Sequence, residues 1–103
     1  MEPVSMILLA IGSLLLGAYI VFIYLLTIVA LVELLEEWET NNYVDEQDVG
    51  FVTKAIASGN CTHVEGVWNK RTQKVRGAWK IKAEKVDSTT SSKLNQCDVL
   101  LIS

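Results

Sequence analysis

The chain begins with a long run of apolar positions. Residues 4–32 contain no Asp, Glu, Lys, Arg, His, Asn or Gln. The run exceeds the roughly 20 residues that a helix needs to cross the hydrocarbon core of a bilayer. It is also much longer than the apolar region of a cleaved signal peptide, and no basic residue precedes it. The pattern therefore predicts a retained transmembrane helix and a single-pass membrane protein.

One face of this predicted helix carries small and hydroxyl-bearing side chains at steps of three and four residues. Ser13 and Gly17 form a small-xxx-small pair, which lets a second backbone approach closely. Tyr24 and Thr27 bring hydroxyl groups to membrane depth, where they need partners. We therefore expect a helix-packing face made of Ala10, Ser13, Gly17, Tyr24, Thr27 and Leu31.

The residues after the apolar run predict an amphipathic extension of the same helix. Leu34, Leu35 and Trp38 recur at helical spacing between glutamates. Trp38 is the kind of side chain that anchors a helix at the membrane interface. The first unit is thus predicted to cover residues 1–40, with residues 41–44 as a linker.

Residues 45–103 are predicted to form a small soluble α+β domain. Asp45 can cap a helix over residues 45–58, where apolar positions recur at helical spacing. Beyond Cys61 the period changes to two, which indicates a β-hairpin around the polar turn 69–73. Residues 87–96 are polar and predict a loop, and residues 97–102 predict a last strand. The fold class is therefore one transmembrane helix followed by one helix packed on a three-stranded antiparallel sheet.

The net charge of −3 hides two opposed blocks, because acids fill residues 33–48 and bases dominate residues 70–85. Every Lys and Arg follows the apolar run, so the positive-inside rule places the C-terminal domain in the cytoplasm. The bases of the hairpin could contact anionic lipid, nucleic acid or the acidic block, or they could form a solvated face. This candidate contact surface comprises Lys70, Arg71, Lys74, Arg76, Lys80 and Lys82.

Four side chains are the only candidates for site chemistry: Cys61, His63, Cys97 and Asp98. They lack the paired spacings of structural zinc sites, and no third group or glycine-rich loop completes a nucleophilic pair. We therefore predict no metal, no cofactor and no enzymatic activity. The two cysteines could form a disulfide or stay reduced, depending on the compartment.

These features predict a non-enzymatic accessory or regulatory subunit of a larger membrane complex, or a homo-oligomer, assembled through the transmembrane helix face. Its expected partner is another transmembrane protein or a second copy. One alternative is a membrane-tethered binding module whose basic hairpin contacts anionic lipid or nucleic acid, with nucleic acid disfavoured. Another is a small metal- or thiol-dependent protein that uses Cys61, His63 and Cys97.

Overall fold

The computed structural model describes residues 19–54 and 61–102, which form a five-stranded mixed sheet with two helices. The strands lie side by side in the order β1-β4-β3-β2-β5. Along the chain the elements are β1 (Ile20–Leu26), α1 (Ile28–Asn41), β2 (Asp48–Lys54), β3 (His63–Asn69), β4 (Lys74–Val86), α2 (Ser88–Gln96) and β5 (Leu100–Leu101).

The predicted transmembrane helix is wrong. Residues 20–26 form a strand that pairs in parallel with β4, and α1 begins only after Thr27. The Thr27 side chain caps that helix by accepting a hydrogen bond from the Ala30 N–H at 3.0 Å. Within the described residues, no helix is long and apolar enough to cross a membrane. The expected single-pass topology with a cytoplasmic C-terminal domain is therefore overturned, and residues 1–18 lie outside the described part.

Strand β4 organises the sheet because it pairs with different neighbours along its length. Its first part, up to Ile81, pairs antiparallel with β3. Its second part, from Lys80, pairs in parallel with β1. Within β4, only Lys80 and Ile81 have a strand partner on both sides. The 13-residue β4 is thus the element that joins β1 to the rest of the sheet.

The predicted hairpin is confirmed as β3 and β4, and the side chain of Asn69 organises its turn. Asn69 Oδ1 accepts hydrogen bonds from the N–H groups of Arg71 and Thr72 at 3.0 and 2.9 Å. Asn69 Nδ2 donates to a carboxylate oxygen of Asp48, which ties the turn to β2. Gln73 closes the turn with a φ of 59°, the left-handed region that costs non-glycine residues energy.

Helix α1 covers the inner face of the sheet. Leu31 and Leu35 are buried against it, and the indole of Trp38 lies over Gly77, where there is no side chain. Helix α2 adds Leu94 to the same cluster. The exposed glutamates of α1 stay on the side of the helix away from the sheet. The buried members of this main core are Leu26, Leu31, Leu35, Val52, Val67, Trp79, Ile81 and Leu94.

A second apolar cluster lies on the outer face of the sheet. Phe51, Val64 and Trp68 are buried there, together with Val99 from the segment before β5. Gly66 makes this packing possible, since a Cβ at that position would lie 2.8 Å from Cζ of the Phe51 ring and would also overlap the Gly77 carbonyl oxygen. The sheet is therefore buried on both faces around its central strands, and strand β3 is buried along its whole length.

Three further predictions about the C-terminal part need correction. The helix expected over residues 45–58 is wrong, because residues 48–54 are strand β2, and residues 55–58 lie outside the described part. The loop expected over residues 87–96 is wrong, because Asp87 caps helix α2 by accepting from the Thr90 N–H. The last strand is confirmed, but it covers only residues 100–101. The predicted three-stranded antiparallel sheet therefore becomes a five-stranded mixed one.

The contact between Trp38 and Gly77 yields a stability prediction. A Cβ at position 77 would lie 2.6 Å from Trp38 Nε1. We expect Gly77→Ala to lower the free energy of unfolding by about 1–3 kcal/mol, because α1 must shift to relieve the overlap. Urea unfolding of the single variants and of Gly77→Ala combined with Trp38→Ala should show coupling above about 0.5 kcal/mol. Additive effects would contradict this docking of α1.

Candidate functional site: the open edge of strand β1

The residues predicted to form a helix-packing face do not share a helix. Tyr24 lies on β1 with an exposed side chain, Thr27 caps α1, and Leu31 is fully buried under α1. The remaining members of that set, Ala10, Ser13 and Gly17, lie outside the described residues.

Trp38, the predicted interfacial anchor, packs within the protein. Its indole covers Gly77 and borders the main core. The guanidinium of Arg76 lies 5.2 Å from the ring centroid, within the range of a cation–π contact. The side chain therefore fixes α1 on the sheet.

The candidate basic surface divides into two groups. At the hairpin turn, Arg71 pairs with Asp45 and Arg76 pairs with Asp48, so two of the bases are matched by acids of the same chain. The pKa of Asp45 lies below its usual value, chiefly because the backbone N–H of Gln47 donates a hydrogen bond to its carboxylate. The side chains of Asn69 and Arg71 lower it further. Lys70 and Lys74 remain exposed at this turn, whereas Lys80 and Lys82 lie further along β4, beside β1.

Cys61 and His63 line one cleft, together with Lys54 and residues of α2. His63 is buried, and its Nδ1 shares a 2.8 Å hydrogen bond with the Thr62 hydroxyl. Burial and the nearby Lys54 ammonium lower the pKa of His63, which favours its neutral form. Within the described residues, no three His, Cys, Asp or Glu side chains come together as metal ligands, and Cys61 and Cys97 are not joined by a disulfide.

The side chains that the structure does bring together lie on the outer face of β1 and β4. Phe22 is 75% exposed and Tyr24 is 64% exposed, two residues apart on the same strand. Lys82 is the cross-strand neighbour of Phe22. The Lys85 ammonium lies 5.5 Å from the centroid of the Tyr24 ring. We call these four side chains the β1 surface.

Strand β1 is also an edge of the sheet, since β4 is its only strand partner in the described part. The Tyr19 carbonyl accepts a hydrogen bond from the Lys80 N–H at 3.0 Å, so the backbone of Tyr19 points towards β4. Backbone groups alternate in direction along a strand. The register with β4 is unbroken from Ile20 to Ile23, so the N–H and C=O groups of Ile20 and Phe22 and the N–H of Tyr24 point to the open edge, where another strand can bind. The alternation breaks at Tyr24, which has no partner in this register, and the Leu26 carbonyl accepts a hydrogen bond from the Asp87 N–H of the β4 side.

On the inner face, the same region holds a buried carboxyl group. Glu65 is 0% exposed, and its Oε1 accepts a 3.0 Å hydrogen bond from Trp79 Nε1. Its Oε2 has no hydrogen-bond partner among the described residues. Burial raises the pKa of Glu65 to about 8, although the bond from Trp79 opposes this shift. The carboxyl is therefore mainly protonated at neutral pH.

Tyr19 connects this buried group to the start of β1. Its ring stacks on Trp79 with centroids 6.4 Å apart and an interplanar angle of 17°. Partial burial raises the pKa of the Tyr19 hydroxyl, and the charges of Glu37 and Glu65 raise it further. The stack holds the beginning of β1 against the middle of β4.

The sequence patterns missed Phe22 because the apolar run was assigned to a helix. A local signal was present, since residues 20–24 are all β-branched or aromatic, the composition typical of strands. Comparisons with known proteins identify no relative: no family model, no curated protein and no solved structure matches the chain.

The buried carboxyl predicts a pH dependence of stability. The folded-state pKa of Glu65 lies near 8, above its ordinary value of 4.5, so the folded protein binds the extra proton between these pH values. Stability should therefore fall as pH rises through this window, by roughly 3–5 kcal/mol for this group. Glu65→Gln keeps an acceptor for Trp79 and removes the titration.

Urea unfolding at pH 5 and pH 8 tests this expectation. The difference in unfolding free energy between the two pH values should be several kcal/mol smaller in Glu65→Gln than in the wild type. Glu39→Gln, at an exposed position on α1, is the matched control and should behave as the wild type does. An equal pH dependence in all three proteins would show that Glu65 is already ionised in the folded state.

Proposed function

We propose that this chain is a non-catalytic interaction protein that binds another polypeptide by strand addition along β1. The observation that carries the proposal is an edge strand of seven uncharged residues with two exposed aromatic rings. Proteins usually protect such edges with charged residues, proline, bulges or very short strands. Strand β1 has no charge and no proline, so its open edge is suited to pairing.

Strand addition would use both the open backbone edge of β1 and the exposed side chains beside it. Backbone hydrogen bonds to the outward groups of β1 supply affinity, and side-chain contacts on alternate residues supply specificity. Phe22 and Tyr24 offer rings that would lose contact with water beside an added strand. Val21 and Ile23 already pack on the main core, so the strand is held in place before a partner binds.

A second candidate function is binding of an anionic ligand at the β1 surface. Exposed rings beside ammonium groups suit single-stranded nucleic acid, because bases stack on rings and phosphates meet the lysines. Phe22 beside Lys82, and Tyr24 under Lys85, provide this combination. The pairing of Arg71 and Arg76 with acids reduces the positive charge available elsewhere on the hairpin.

Site-specific photo-crosslinking tests the first proposal. A photoreactive phenylalanine analogue replaces Phe22 in the full chain, expressed in its own cells, and a matched control carries it at Tyr43. Tyr43 is 81% exposed but lies between α1 and β2. We expect one discrete adduct from position 22 that Tyr24→Pro abolishes, because proline removes an outward N–H group. No adduct at position 22, or the same adducts from position 43, would contradict strand addition.

A salt titration tests the second candidate. It predicts that the full chain binds a fluorescent 20-nucleotide single strand, with an affinity that falls steeply as salt is raised. Lys82→Ala with Lys85→Ala should weaken this binding, whereas Lys70→Ala with Lys74→Ala at the hairpin turn serves as a charge-matched control. An absence of binding at low salt would exclude this candidate, and an equal loss in both variants would remove the β1 surface as its site.

A further inference from the structure

We propose that the cleft beside His63 binds a small carboxylic acid with a short apolar tail, its carboxylate held between Lys54 and the imidazole. Lys54 ends β2, His63 begins β3 and Val86 ends β4, so the cleft lies where these strand ends meet α2. Its volume of about 420 Å³ falls within the roughly 300–1,000 Å³ of small-molecule sites. It shares no residue with the β1 surface and is a site beyond the proposed function.

Two basic groups meet in this cleft. The cross-strand neighbours of His63 are Lys54 on β2 and Ile81 on β4, so its charged neighbour is the ammonium. That ammonium donates a hydrogen bond to the side-chain carbonyl of Asn95, which leaves two of its three N–H groups for a ligand. Burial and the Lys54 charge both lower the pKa of His63. An anion beside the ring would oppose both effects and favour the protonated form.

The hydrogen bonds of His63 decide which ring nitrogen is left for the ligand. The Thr62 hydroxyl donates to the Ile81 carbonyl at 3.1 Å, so it accepts the 2.8 Å bond from His63 Nδ1. In the neutral ring Nε2 then carries a lone pair, which repels an anion. Protonation turns Nε2 into a donor. Binding of a carboxylate is therefore coupled to uptake of one proton from solvent by His63.

The groups around the cleft supply no negative charge for these bases. Among the described residues, neither Lys54 nor His63 forms an ion pair with an acid. The Glu65 carboxyl, two residues along β3, is buried and mainly protonated, and the Asp87 carboxylate accepts from an N–H of α2. The glutamates of α1 are exposed away from the sheet, and residues 55–60 include no acid. The negative charge must therefore come from a ligand.

The remaining walls of the cleft define the rest of the ligand. Val86 and Leu94 give it an apolar side, and Leu94 is a buried member of the main core. Ser91 lies one turn before Leu94 on α2 and brings a hydroxyl that can donate to a carboxylate oxygen. A short hydrocarbon chain on the carboxylate would cover this side and lose its contact with water. Butyrate has both parts and serves as the probe.

Proton NMR of the full chain tests the site directly, because His63 is the only histidine and its ring signals are unambiguous. Butyrate at about 20 mM should raise the titration midpoint of His63 by at least about half a pH unit over an equal concentration of sodium chloride. Butyramide has the same tail without the charge and should leave the midpoint unchanged. The absence of a rise with butyrate, or an equal rise with butyramide, would overturn the proposal.

A pair of lysine variants tests the placement of the carboxylate. Lys54→Met should raise the midpoint of His63 without any ligand, because the ammonium no longer opposes protonation, and butyrate should then have no further effect. Lys93→Met removes an exposed lysine of α2 that does not line the cleft and should respond to butyrate as the wild type does. An equal response to butyrate in Lys54→Met and the wild type would overturn the site.

Acetate tests the apolar part of the ligand, since it lacks two methylene groups of butyrate. We expect acetate to bind at least about fivefold more weakly, measured by the concentration that gives half of the NMR change. Equal affinities would overturn the apolar tail. Backbone amide signals of Ser91 and Leu94 should move with butyrate while that of Phe22 stays in place, which separates this site from the β1 surface. Movement of Phe22 alone would overturn the cleft as the site.

Discussion

Strand β4 pairs with β3 along its first half and with β1 along its second half, and both the sheet and its inner core rely on this division. The pairing with β3 is an antiparallel hairpin, whereas the pairing with β1 is parallel. A parallel pair needs a long connection between its strands. Here the chain between β1 and β4 contains α1, β2 and β3, so the helix can cross the inner face and bury Leu31 and Leu35 before the chain returns. Loss of the β1–β4 pair would leave the inner core open at one side.

This arrangement explains why an apolar segment can be a strand at the edge of a sheet. Val21 and Ile23 border the main core, while Phe22 and Tyr24 point the other way and remain exposed. A strand with apolar residues on both faces shows no polar alternation. The exposed face is what makes the segment a candidate contact site, because a strand used only for packing needs apolar side chains on one face.

The sequence predicted an element correctly where one period of apolar and polar positions ran along its whole length. The hairpin follows from alternation along β4 and from the polar turn, and the helical spacing of Leu34, Leu35 and Trp38 matches α1. The prediction was wrong where pairing between strands distant in the chain decides the structure and the local residue pattern does not. Asp45 resembles a helix cap, but Gln47 and Asp48 close a turn with it that leads into β2. The open edge of β1 could not be predicted, because strand order depends on contacts between distant residues.

Residues 20–26 form a strand paired with β4, and the exposed edge of the sheet exists only if this pairing does. Backbone NMR of the full chain measures this directly, through carbon chemical shifts for β1 and nuclear Overhauser contacts between the two strands. We expect strand-type shifts from Ile20 to Leu26, a change to helical shifts after Thr27, and contacts between Val21 and Ile81. Helical shifts that run unbroken through this segment into α1, without contacts to β4, would contradict it.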